Sequence, residues 1–142
     1  MSEISIAAGP RGALHQRWSQ FVSCLLVMLG LVGLLRGGLG GVTDPDGVWV
    51  LGFVSHPITA VTHLILGMVG IYAATRPAWS RTFLAGLAGF MVPWAVLGLV
   101  LAGEPTDAFT SNSRTVALHL TAGVVSLVMA AAPSGREAAR DG

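Results

Sequence analysis

Four long stretches of the chain contain no Asp, Glu, Lys or Arg: those between Arg17 and Arg36, Asp46 and Arg76, Arg81 and Glu104, and Arg114 and Arg136. A helix that crosses a bilayer needs about 20 predominantly apolar residues, in a range of roughly 17–25. The first, third and fourth stretches fit one such helix each. The second is longer, and Gly47, Ser55, His56 and Pro57 make its early part a loop. Pro57 suits the first turn of a helix, where a missing N–H costs nothing. The pattern predicts helices at about 18–36, 57–75, 81–102 and 114–132. That is an all-α, polytopic membrane protein, an up-down four-transmembrane-helix bundle. Residues 1–17 and 133–142 read as polar segments flanking it. The first span reads as uncleaved, because Gly37-Gly38-Leu39-Gly40-Gly41 follows it where a secretory signal has Ala-x-Ala.

A finer pattern lies inside the second and fourth stretches. Thr59, His63, Gly67 and Gly70 repeat the spacing of Thr115, His119, Gly123 and Ser126. Positions i, i+4, i+8 and i+11 share one face of a helix. Alternate helices of an up-down bundle point the same way, so the two histidines are expected at one depth, facing each other. A histidine in hydrocarbon is costly and needs a partner. The first reading is an interhelical seam: each histidine bonds a threonine, a carbonyl or the other histidine, and the small residues let helices approach.

Two sharper readings stand beside it. His63 and His119 have the makings of axial ligands to a b-type haem for electron transfer, since bundle cores hold cofactors through facing helices. A glycine one turn away would leave room for the porphyrin. The other reading is a small transporter or channel subunit, which needs a polar path; the inner half of each helix reads as lacking one. No metal is expected, because two histidines without a nearby carboxylate or thiolate are too few ligands. No catalytic set is assigned, because the acidic residues fall in loops and tails.

Gly30, Gly33, Gly86 and Gly89 add small positions to the first and third helices, suited to close packing or to a homo-oligomer. Pro93 falls inside the third helix and cannot donate to the carbonyl of Gly89, so a kink is expected there.

Composition supports the membrane reading. The chain is 53% hydrophobic and 11% charged, against roughly 25% charged in soluble domains. Its exterior must therefore face a lipid bilayer. A net charge of +1 excludes a nucleic-acid partner, which needs a basic face. The single Cys24 excludes an intrachain disulfide and a cysteine zinc site. Arg11, Arg17, Arg76, Arg81, Arg136 and Arg140 fall on one side of four spans, against Arg36 and Arg114 on the other. That bias places both termini in the cytoplasm. Thr43-Asp44-Pro45-Asp46-Gly47 reads as a turn. Trp49 and Phe53 after it suit the interfacial belt.

These residues also carry a family likeness. Val61-Thr-His63-Leu-Ile-Leu-Gly67-Met-Val-Gly70 resembles the His-Leu-Leu-x-Gly-x-x-Gly core of the second helix in domain of unknown function 4383. Those are four-helix membrane proteins, mostly actinobacterial. Asn112, His119, Leu120 and Gly123 match the spacing of that family's fourth helix. The similarity runs from about Leu51 to Ala132 and implies fold and location, but no reaction. The family usually has His-Asn where this chain has Thr59 and Ala60, and Asp-Asn where it has Thr115 and Val116. The polar network around the pair is thinner here. The expected role is a non-enzymatic structural or accessory membrane component, whose partner is a second copy or another membrane protein.

Overall fold

The structure, a computed structural model, describes residues 10–39, 48–100 and 113–132. Prolines stand at the head of three helices: α1 (Pro10–Gly37), α2 (Pro57–Ala73) and α3 (Pro77–Val100). The fixed φ of proline is already helical and its missing N–H is not needed in a first turn. α4 spans Ser113–Ala131. Helix α1 begins well before the expected residue 18. The charges at Arg11 and Arg17 bound an apolar span, but they do not break a helix. α3 likewise starts at Pro77, ahead of the expected 81, and its helical run continues across Pro93, which lies on an exposed side.

Three helical segments are long and apolar enough to cross a membrane: Leu14–Gly37, Pro77–Val100 and Ser113–Ala131. α2, with 17 residues, is apolar but shorter. Large aliphatic side chains and methionines are exposed along all four helices, among them Met28, Ile65, Leu97 and Leu127. That surface suits lipid and not water.

α1 and α2 pack as an antiparallel pair. Gln16 of α1 reaches the carbonyl of Ala74 beyond the far end of α2, at 2.9 Å. Gly33 approaches Ala60 near the start of α2. α3 and α4 form a second antiparallel pair: Arg81 Nε donates to the carbonyl of Ala130 at 2.8 Å, and Gly98 sits against Val116. The two pairs meet in a core of Val22, Leu26, Leu84, Leu87, Met91 and Ala130.

The stretch expected as a loop between α1 and α2 contains a short hairpin. β1 (Val48–Val50) and β2 (Phe53–Ser55) form an antiparallel hairpin with Trp49 opposite Val54. Its two-residue tip, Leu51 and Gly52, has φ of 52° and 87°. Positive φ at both tip positions gives the twist that two-residue hairpins need. Leucine seldom takes that conformation, and so the tip carries no turn signal in the sequence. The hairpin is held at both edges. Arg36 Nη1 of α1 donates to the Trp49 carbonyl at 3.0 Å. Thr115 Oγ1 of α4 accepts from the Val54 N–H at 3.2 Å and donates to the Val54 carbonyl at 3.4 Å. The Thr43–Gly47 turn, Asn112 and the segment 133–142 lie outside the described residues.

Candidate functional site

His63 and His119 meet where the two helical pairs come together. Their Nε2 atoms are 3.0 Å apart. The rings are edge to face, with centroids 5.2 Å apart and planes at 65°. Both side chains are buried. At that distance one Nε2 carries a proton and donates, and the other accepts through its bare lone pair. The pair therefore holds one proton between its two nitrogens. The bond ties α2 to α4, helices that otherwise pack chiefly on α1 and α3.

The rest of the repeated pattern points elsewhere. A Cβ at Gly67 would lie 2.6 Å from Val27 Cγ2 and 2.8 Å from the Ser23 carbonyl, both on α1. Gly70 is pressed against Ser23 of α1 and Phe83 of α3. A Cβ at Gly123 would lie 2.8 Å from Val92 Cγ2 and 3.2 Å from Met91 Cβ, both on α3. These glycines serve the packing of α2 on α1 and of α4 on α3. They do not stand between α2 and α4. The space beside them, which a porphyrin would need, is filled by Val27 and Val92.

Thr59 and Thr115 sit one turn before the two histidines and are buried. With Ser55 and His63 they line a small cavity roofed by Val50 and Phe53 of the hairpin, with room for about one water molecule. Ser126 is fully buried, and its Oγ has no partner among the described residues.

Other polar groups in the interior were not singled out from the sequence. Ser19, Ser23 and Ser80 are fully buried in the part of the molecule away from the hairpin, which reads from sequence as lacking polar positions. Ser19 Oγ donates to the Gly70 carbonyl at 3.2 Å, and Ser80 Oγ to the Ala73 carbonyl at 3.1 Å. A signal was present: Ser19 and Ser23 are one turn apart and share a helix face. His15, within the segment read as a polar flank, is helical and 3% exposed. Its early helical start puts it against the core. His56, expected in an interfacial loop, is the buried residue preceding α2.

No group of three or more His, Cys, Asp or Glu side chains converges among the described residues. A family model described as a domain of unknown function (DUF4383) matches residues 16–132, more than half of the chain. No curated protein and no solved structure matches.

Proposed function

The chain belongs to the DUF4383 family, and from that premise we propose that it is a structural or accessory protein of a bacterial, actinobacterial plasma membrane, without a catalytic role. Its four helices cross as an up-down bundle with both termini in the cytoplasm. The observation that carries this reading is the His63–His119 contact at 3.0 Å. It is a polar tie between two helical pairs in a molecule whose surface is otherwise suited to hydrocarbon. Interhelical hydrogen bonds in membranes average about 0.6 kcal/mol, with a maximum near 1.7. That is enough to set which face of the α1–α2 pair meets the α3–α4 pair.

A double-mutant cycle tests the tie. His63→Ala, His119→Ala and the double variant are unfolded in detergent micelles. The double variant is expected to lose less stability than the sum of the singles, by about 0.6 kcal/mol or more. Strict additivity removes the reading. Orientation rests on the arginine bias. A reporter fused at Gly142 that fluoresces only in the cytoplasm is expected to be bright; a dark fusion that is exported intact reverses the topology.

The haem alternative asks for more rearrangement. Metal–imidazole bonds are about 2 Å long, so one iron between both rings needs nitrogens about 4 Å apart. The rings would have to part, and Val27 and Val92 would have to vacate the glycine faces. A Soret band in the purified protein, lost in His63→Ala, would restore that alternative.

A further inference from the structure

The β-hairpin joins an apolar surface to two arginines, and the histidine pair explains neither. α2 rises about 25 Å at about 1.5 Å per residue, short of a hydrocarbon layer of about 30 Å. The segment that ends two residues before it, Val48-Trp-Val-Leu-Gly-Phe-Val54, is apolar throughout, with Ser55 and His56 between. At its tip Leu51 is 81% exposed, and Trp49 beside it is 58% exposed. Leu51 holds this place at a φ of 52°, a left-handed conformation that costs an ordinary residue roughly 1–2 kcal/mol. Asn or Gly would meet the turn's geometry without that strain. A water-facing tip gains nothing from leucine here; a tip in lipid does.

The backbone points the same way. Water hydrates the free edges of a strand at little cost, but in lipid every N–H and C=O needs a protein partner. Three outward backbone groups of the Trp49–Val54 pair have protein partners: the Trp49 carbonyl is met by Arg36, and the Val54 N–H and carbonyl by Thr115. Arg36 ends α1 and Arg114 opens α4, and both are exposed. Arg114 Nη1 lies 3.1 Å from where a Gly52 Cβ would be. There is no carboxylate among the described residues. A guanidinium presents a planar fork of donors that matches a phosphate.

We propose that the hairpin lies in the membrane boundary and completes the crossing that α2 leaves short, with Arg36 and Arg114 binding the phosphates of phospholipid headgroups. Trp49 and Leu51 then sit where acyl chains give way to headgroups. The proposal needs only a membrane protein, and it stands or falls independently of the histidine tie.

The full chain in nanodiscs that contain the anionic lipid phosphatidylglycerol tests it. With Cys24→Ser removing the one thiol, a nitroxide is attached at Leu51→Cys. Collisions with oxygen, which partitions into lipid, are expected to exceed those with a water-soluble nickel chelate. The opposite order overturns the placement. Native mass spectrometry of the unlabelled protein reads the headgroup contact. Arg36→Gln and Arg114→Gln are each expected to lower phospholipid retention about fivefold, the factor that about 1 kcal/mol per basic residue gives. Unchanged retention overturns the phosphate contact, and displacement of the lipid by added inorganic phosphate overturns its assignment to lipid.

Discussion

Thr115 and Ser126 lie on one face of α4 and meet opposite circumstances. The Thr115 hydroxyl serves the Val54 N–H and carbonyl together. The Ser126 hydroxyl is buried with no partner among the described residues. A buried polar group left unpaired costs about 1–3 kcal/mol, whereas removing the unpaired group itself costs nothing in hydrogen bonding. Thr115→Val is therefore expected to destabilise the protein by about 1–3 kcal/mol, with Thr115→Ser restoring most of the loss. Ser126→Ala is expected to be neutral or mildly stabilising. Thermal unfolding in micelles reads all three, and a Ser126→Ala loss as large as that of Thr115→Val would sink the contrast. The spacing in the sequence puts both residues on one helix face. It does not say which neighbour covers each level of that face, because the covering strand and helix come from elsewhere in the chain. For the same reason the helix faces of His63 and His119 could be read from periodicity, while their 3.0 Å approach is a fact of tertiary packing.

Among the elements, α2 and α3 use glycine differently. Gly67 is buried against α1, where added atoms meet backbone and the branched Val27, and Gly70 is buried between Ser23 of α1 and Phe83 of α3. Gly86 and Gly89 of α3 are exposed, and a Cβ at either would meet nothing within 4 Å. Gly67→Val or Gly70→Val is expected to cost about 1–3 kcal/mol through overpacking. Gly86→Ala and Gly89→Ala are expected to leave stability unchanged or raise it, since alanine is the better helix former by about 1 kcal/mol. The same unfolding assay separates the two classes; equal losses at all four positions would mean that α3 has a partner surface there. Both glycine pairs look alike as sequence. The helices themselves were legible because a span free of charge must be satisfied within its own backbone. The hairpin was not. Its tip lacks the usual Asn-Gly, and its edges depend on Arg36 and Thr115, which the sequence places 13 and 61 residues from the groups they bond.

At the scale of the whole molecule, the described residues form two antiparallel helical pairs, each made of helices consecutive in sequence, α1 with α2 and α3 with α4. Membrane class could be read from composition, since 11% charged residues cannot coat a water-facing surface. How the pairs dock could not, because most of their contact is leucine and methionine, which are as much at home against lipid. The histidine bond stands out against that background, and it has a consequence in time. α1 and α2 leave the ribosome first and have within themselves the close fit of Gly67 and Gly70 on Ser23 and Val27. The contacts of Gly67 and Gly70 with Ser23 and Val27 involve no residue of α4, but until α4 is made the Nε2 of His63 lacks the partner it has in the complete fold. The α1–α2 pair by itself thus leaves one hydrogen-bonding nitrogen of His63 unanswered, and α4 brings the nitrogen that answers it.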